Sequence, residues 1–340
     1  MGRLILAAVT GMILLAVGVG AALLWARAQL HQPLSLDAPE VVEIRSGTGL
    51  SSVTTELGER GLLDHPAVLS WYGRLSGEAQ RIKAGEYVLK PGTTAAEALA
   101  KFVAGDVRLY SFTLVEGWTT AEAVRALQQH PAITVTLEPY DPERLLDAVE
   151  AEEDHPEGLF FPDTYHFPRG ASDTAILRQA YNLMHQRLSA AWQSRSEGIP
   201  LDTPYEALIL ASIIEKETAR DDERRAIAGV FTRRLQKGMR LQTDPTVIYG
   251  MGDAFDGNIR RRDLRTDTPY NTYTRKGLPP TPIALPGQAS LEAAVDPAAG
   301  DALFFVATGE PDGSHYFSAT HEEHEAAVER YLARIRERGR

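Results

Sequence analysis

Hydrophobic positions along the chain change period several times, and each change predicts an element. Residues 4–25 are uncharged and overwhelmingly apolar, close to the ~20 residues that cross a hydrocarbon core as a helix. They predict a transmembrane anchor over residues 4–26, with residues 1–3 as a short cytoplasmic segment. The alternative is a cleaved signal peptide, since Ala26-Arg27-Ala28 loosely imitates a small-x-small cleavage site, although such a peptide has an apolar region of only ~7–15 residues. Beyond the linker, the β-branched run Val41-Val42-Glu43-Ile44 predicts a strand. Leu50, Val53, Thr54 and Leu57 then keep helical spacing, as do Val68, Leu69, Tyr72 and Leu75 over residues 66–75. Residues 85–89 return as a strand, and a third helix follows over 95–103.

Residues 108–115 predict another strand, and Thr119 or Thr120 caps a helix running through Leu127. Residues 141–153 are helical and acidic, most simply a solvated face; 160–165 form a loop with an aromatic plug, and 176–192 have helical periodicity. Thr203-Pro204-Tyr205-Glu206 is a helix start, with Thr203 as N-cap, proline at the first helical position and Glu206 closing a capping box. The following 208–214 is apolar nearly all round and predicts a buried helix. A further helix begins at Asp221 or Asp222, carries Ile227, Val230, Phe231 and Leu235 on one face and stops at Gly238. Its Arg224, Arg225, Arg233, Arg234 and Lys237 fall mostly on the other face, read as a solvated basic side or as a contact surface for an anionic polymer.

The fold class is therefore α+β: a membrane-anchored chain with a small βααβ module at 40–105 and a larger mixed α/β domain at 106–335. The strand-helix-helix-strand order of the small module resembles the glycan-binding LysM type, with a generic α+β domain as the alternative. A length of 340 residues is about twice the ~150-residue domain prior, which agrees with two units.

Charge and residue types narrow the function. With 35 Lys plus Arg against 46 Asp plus Glu and a net charge of −11, a face dedicated to nucleic-acid phosphates is not expected. The absence of cysteine removes thiolate nucleophiles, disulfides and cysteine-based metal sites, and fits an oxidising compartment. His321-Glu322-Glu323-His324 lacks the zincin order, and Gly250-Met251-Gly252 lacks the third glycine of a dinucleotide loop. Neither metal nor cofactor is expected. Arg3 and Arg27 leave the positive-inside count balanced, while Trp25 suits an interfacial position. The chain beyond the anchor is expected outside the cytoplasm.

The densest chemistry lies between Thr203 and Gly287. At 100° per residue, Glu217 falls within about 60° of Leu210, Ile213 and Ile214. A carboxylate held against apolar groups has its pKa raised toward the value a general acid needs. Glu215 lies about 160° away, beside Leu208 and Ala211, and periodicity leaves it open as the acid. Gln242, Thr243 and Asp244 form a polar loop, and Tyr270, Asn271 and Tyr273 add two aromatics bracketing an amide, a set that suits sugar rings and hydroxyls as well as a structural loop. Leu278-Pro279-Pro280-Thr281-Pro282-Ile283 and Leu285-Pro286-Gly287 predict a rigid extended wall beside the pocket.

Glu215-Lys216-Glu217-Thr218, the run from Leu241 to Gly250, Tyr270-Asn271-Thr272-Tyr273, Gly277-Leu278-Pro279-Pro280 and Pro286-Gly287 together closely resemble the endolytic murein transglycosylases, the MltG/YceG-like family. A Phe161-Pro162-Asp163-Thr164-Tyr165 segment, the anchor and the LysM-like module extend the resemblance to nearly the whole chain, while Thr281 and Leu285 depart from the family's Gly and Asn. The resemblance implies a single-pass protein of the bacterial inner membrane with its catalytic domain in the periplasm. It implies endolytic cleavage of the MurNAc-GlcNAc bond in nascent peptidoglycan, leaving 1,6-anhydroMurNAc ends, with peptidoglycan synthases as partners. It assigns catalysis to Glu217, with Thr218 helping to orient it, and a neutral Glu217 is expected to serve as acid and then base. Gln242, Thr243, Asp244, Tyr270, Asn271 and Tyr273 are expected to hold the sugar, with Asp244 or Glu215 as assisting carboxylates. A non-catalytic peptidoglycan-binding scaffold and a hydrolytic muramidase are the alternatives.

Overall fold

The computed structural model describes residues 2–338, so Met1 of the expected cytoplasmic segment lies outside the described residues. The chain divides into two units, one running to Tyr110 and including His166–Arg169, the other comprising Ser111–Tyr165 and the chain from Gly170 onward.

The first unit opens with helix α1 (Gly2–Leu30), which from Ile5 onward is long and apolar enough to cross a membrane. Then come β1 (Glu40–Ile44), α2 (Leu50–Glu59), α3 (Pro66–Leu75), β2 (Gly85–Leu89) and α4 (Ala95–Ala104), in the strand-helix-helix-strand order read from the hydrophobic pattern. β1 and β2 pair antiparallel, Glu40 opposite Leu89 and Ile44 opposite Gly85. Alternation in each strand sends Val42 and Ile44, Tyr87 and Leu89 inward, where they meet Leu50, Val53 and Leu57 of α2 and Leu99 and Phe102 of α4. Tyr87 packs edge-on against Phe102 with ring centroids 4.9 Å apart and donates to the Lys83 carbonyl at 2.8 Å, so its buried hydroxyl is satisfied. α4 starts with a complete capping box between Thr94 and Glu97 and ends at left-handed Gly105.

The second unit begins within β3 (Leu109–Thr113) and continues through α5 (Thr120–Gln128), β4 (Ile133–Thr134), α6 (Pro142–Val149), the first two residues of β5 (Thr164–Pro168), β6 (Ala171–Ser172) and α7 (Asp173–Gln193). It ends with α8 (Pro204–Glu217), α9 (Asp221–Gln236), α10 (Asp244–Met251), α11 (Gln288–Val295), β7 (Phe304–Ala307), β8 (His315–Ser318) and α12 (His321–Arg338). Helix and strand are mixed as expected, but among the described residues the strands form only two-stranded sheets, β1-β2, β3-β5, β4-β6 and β7-β8. Helices therefore carry the core.

α8 is the centre of that core. Every residue from Ala207 to Ile214 is buried, and α7, α9, α10 and α11 all pack against it. Its start differs in detail from a capping box: Thr203 accepts from the Glu206 N–H at 3.2 Å, but the Glu206 carboxylate turns to the Asp202 N–H at 2.5 Å. The Thr203 side chain thus satisfies one orphan donor of the first turn, while the Glu206 carboxylate ties down the residue before the cap.

Two expectations about surfaces are corrected. The arginines of α9 do not form a free basic side: Arg224 and Arg234 are buried, and Arg233 and Arg225 bond the carbonyls of Ala302 and Asp296 at 2.7 and 2.9 Å. The connection from α11 to β7 wraps the polar side of α9 and supplies acceptors to its guanidinium groups. The acidic helix α6 ends at Val149 rather than Glu153; Glu143 and Asp147 are exposed as expected, whereas Glu153 takes bonds from Tyr181 at 2.9 Å and His185 at 3.0 Å.

The proline-rich stretch forms no helix, as expected; Gly277 to Pro280 line a groove of about 540 Å³ together with Thr203, Tyr205 and Glu206, and residues 281–287 are buried. Ile283 N–H donates to Ser212 of α8 at 3.0 Å, and Leu285 exchanges backbone bonds with Gly117 and Trp118 at 2.9 and 2.7 Å. Prolines satisfy this buried position because each removes a donor that would otherwise need a partner.

Candidate active site

Glu217 is the last residue of α8, half-buried where the buried helix emerges. The Thr243 hydroxyl donates to its Oε1. Thr243 itself is fixed on both sides: its N–H donates to the Thr272 hydroxyl at 3.1 Å, and its carbonyl accepts from Thr246 at 2.9 Å. With its main chain held, Thr243 has its hydroxyl left for the carboxylate.

Burial pushes the Glu217 carboxyl up to about 7, with the Asp244 carboxylate adding to the rise; the Thr243 hydrogen bond and the proximity of His315 and Arg234 oppose it. Position at a helix C-terminus also disfavours an anion. The acid can therefore hold and release a proton near neutral pH, as general acid-base work requires.

Glu215 has a different setting. Its side chain is buried; it accepts from Ser290 at 2.7 Å and from the Gly287 N–H at 3.0 Å, and Arg224 lies 3.6 Å away. These bonds join α8 to the start of α11, so Glu215 is engaged in holding the helices together. Lys216, between the two acids, donates to the Gly117 carbonyl at 3.0 Å. Thr218 does not reach Glu217 in this structure; its hydroxyl accepts from the Arg220 N–H at 3.0 Å, and the hydroxyl that meets the acid is Thr243.

The expected sugar-holding residues separate into two groups. Gln242 and Asp244 are exposed beside Thr243, and Tyr273 donates to Asp244 Oδ1 at 2.6 Å, which brings an aromatic ring, an amide and two carboxylates to one place. Asp244 and Thr246 start α10 rather than extending a loop. Tyr270 turns elsewhere: its hydroxyl meets Thr281 at 2.9 Å, and its ring lies 4.9 Å from that of Tyr249. Asn271 is buried, with its amide donating to the carbonyls of Asp263 and Thr266 at 3.1 and 2.7 Å and its oxygen accepting from Tyr273 N–H at 2.9 Å. It shapes the loop that presents Tyr273.

Three further polar residues have settings that the sequence pattern did not assign to them. Arg234 donates to the carbonyls of Leu303 and Leu241, each at 2.7 Å, and so grips the segment in which Gln242 adopts a left-handed backbone, φ 53°. His315 Nδ1 lies 2.7 Å from Glu223, whose other oxygen takes the His315 N–H at 3.0 Å. Glu157 is fully buried and accepts from Thr120 N–H at 2.8 Å and Tyr249 at 3.1 Å, with burial raising its carboxyl. The signal for Glu157 is an acid set directly before the apolar run at 158–161. Among the described residues no three His, Asp or Glu side chains gather as metal ligands.

A half-buried carboxylic acid raised toward neutrality, met by a fixed hydroxyl and bordered by a tyrosine, an amide and a second carboxylate, is an arrangement that suits general acid-base chemistry. Residues 42–330 match the YceG-like family, and the chain belongs to it. It is similar to an endolytic murein transglycosylase of Bacillus subtilis (strain 168), 30% identical over 335 residues, covering 93% of this chain and 91% of that protein. It is also similar to the protein of the same name from Streptococcus pneumoniae (strain D39), 27% identical over 86% of this chain, which spans 58% of that longer relative. The crystal structure of a YceG-like protein from Listeria monocytogenes, 30% identical, superposes with a TM-score of 0.51 over 85% of this chain and 98% of the other.

Proposed function

We propose that the protein is an endolytic lytic transglycosylase of peptidoglycan with Glu217 as its acid and base. The carrying observation is the setting of Glu217, whose carboxyl is raised to about 7 on a buried helix end. The relatives' shared name supplies the substrate class.

Neutral Glu217 donates its proton to the glycosidic oxygen as the bond from MurNAc C1 breaks, so the GlcNAc leaves as an alcohol. The carboxylate formed then takes the proton of the MurNAc C6 hydroxyl while that oxygen closes on C1. No water enters, the proton count at Glu217 is restored, and the product is a 1,6-anhydro ring. Positive character at C1 is offset by the Asp244 carboxylate, and Tyr273, through its bond to Asp244, sets that carboxylate's direction. Gln242 and Tyr273 offer hydrogen bonds and a ring face to the sugar; Tyr270 and Asn271 serve by shaping the loop. Ordinary glycosidases employ a second carboxylate as nucleophile or base, and the Glu215 bonds to Ser290 and Gly287 support its exclusion from that role.

In this reading α1 anchors the protein in the inner membrane through residues 4–26, the remainder lies in the periplasm, the βααβ module is LysM-like and binds glycan, and peptidoglycan synthases deliver the nascent strand.

The test is mass spectrometry of uncrosslinked glycan strands incubated with the full chain in detergent. Product ends one water lighter than reducing ends, absent with Glu217→Gln, are expected. Reducing ends would identify a hydrolase with Asp244 as the second carboxylate, and intact strands that remain bound would identify a scaffold.

A further inference from the structure

α3 presents an apolar face that the first unit leaves uncovered. Trp71 is 63% and Leu75 82% exposed, and Tyr72 is exposed beside them. The spacing i, i+1, i+4 places all three on one side of the helix. Between this face and the end of α1 lies a groove of about 610 Å³, lined by Leu23, Leu30, Val68, Trp71, Tyr72 and Leu75, with Arg27 and His31 at its rim.

Helix length sets the height of this groove relative to a bilayer. At 1.5 Å per residue, the 29 residues of α1 extend about 43 Å, well beyond the ~30 Å hydrocarbon core. A span beginning at Ile5 leaves the hydrocarbon near Leu24. The remaining turns rise against the first unit, where Trp25 meets His65 with ring centroids 5.0 Å apart. The exposed face of α3 joins α1 at Leu23 to Leu30, the level at which the headgroup layer begins. Exposed aromatics at that level are characteristic of membrane interfaces.

On the reading of α1 as a membrane anchor, we propose that α3 is an interfacial helix lying in the outer leaflet of the same bilayer. Trp71 and Leu75 enter the acyl boundary, Tyr72 sits among the headgroups, and Arg27 and Arg74 face lipid phosphates. A lipid surface fits better than a sugar, because Val68, Leu75, Leu23 and Leu30 carry no hydrogen-bonding atoms and would strip water from sugar hydroxyls without replacing it. The charged rim around an apolar face is the pattern of helices that rest in the interface. The contact makes two attachments of one and fixes how the βααβ unit is held above the membrane.

The chain's lack of cysteine makes a clean test available. Single cysteines at Val17, Ser52, Trp71 and Leu75 in the full chain would each carry a nitroxide, with the protein reconstituted into vesicles of phosphatidylethanolamine and phosphatidylglycerol. Electron paramagnetic resonance then compares relaxation by oxygen, which partitions into lipid, with relaxation by a water-soluble nickel chelate. Labels at 17, 71 and 75 should favour oxygen several-fold over the label at exposed Ser52 on α2. Lipid exposure at 17 with 71 and 75 matching 52 would overturn the interfacial helix and leave the anchor standing; water exposure at 17 would remove the anchor and this proposal with it. Dipolar broadening at 75 from a second copy, or immobilisation at 75 only on addition of glycan strands, would also overturn it. Because the label at 75 removes a leucine, the label at 71 is also read with Leu75→Glu, where the oxygen preference should fall several-fold; an unchanged preference contradicts the proposal.

Discussion

The last turn of α8 holds two glutamates of nearly the same sequence context in opposite roles. Glu215 is met by a hydroxyl, a backbone N–H and a guanidinium, and these contacts bind three elements together. Glu217 receives one hydroxyl and is pushed toward its neutral form by burial. The difference arises from what each side of the helix faces: the start of α11 and buried Arg224 on one side, the Thr243 loop on the other. A carboxylate surrounded by donors is structural, and one that is desolvated with a single donor is available for proton transfer.

Removing each acid should therefore damage different properties. Glu217→Gln is expected to lower the rate of glycan cleavage by about 10²–10⁴-fold, with an unchanged thermal unfolding midpoint near pH 5. The sign of its pH dependence follows from linkage. A carboxyl raised in the folded state binds a proton that the unfolded chain has already released between its ordinary value of 4.5 and about 7, so the folded protein loses stability as pH rises through that window. The variant escapes this loss, and its unfolding midpoint relative to the natural protein should climb from pH 5 to pH 8. A flat difference would contradict the raised carboxyl.

Glu215→Gln should destabilise the protein by about 3 kcal/mol, the low end for breaking a buried ion pair because Asp221 remains beside Arg224. Urea unfolding measures this. Activity per folded molecule should fall far less than in Glu217→Gln; equal losses would erase the distinction between the two acids.

Thr243→Val removes a hydrogen bond that favours the charged Glu217, so the carboxyl should rise further and the high-pH decline of the rate should move to higher pH. An unmoved pH-rate profile would show that this hydroxyl does not act on Glu217. The smallest effect belongs to Tyr273→Phe, which loses one hydrogen bond to Asp244, worth about 1 kcal/mol. It should raise KM for glycan strands a few-fold and lower the unfolding free energy by no more than about 1 kcal/mol.

The same comparison explains what the sequence made legible. α3 begins and ends where the pattern places it, and the buried run of α8 and the apolar flank of Glu217 follow from helical periodicity, because those features depend on neighbours within one or two turns. Periodicity left Glu215 open because a wheel gives an angle and not the groups that wait there; Ser290 and Gly287 are more than 70 residues away. The arginines of α9 misled for the same reason, since the carbonyls that bury Arg233 and Arg234 come from the distant segment at Ala298, Ala302 and Leu303. Asn271 and Tyr273 look alike as sugar contacts on paper. Only the turn that consumes both ends of the Asn271 amide separates a loop builder from a residue facing the site.

The central claim is that Glu217 holds a proton near neutral pH. Its direct test is carbon-13 NMR of the full chain in micelles with glutamate labelled at the side-chain carboxyl, titrated from pH 4 to 9 for the natural protein, Glu215→Gln and Glu217→Gln. The account predicts a resonance titrating near pH 7 that survives Glu215→Gln and disappears in Glu217→Gln. A spectrum in which Glu217→Gln removes only a resonance titrating in the ordinary carboxylate range would contradict it.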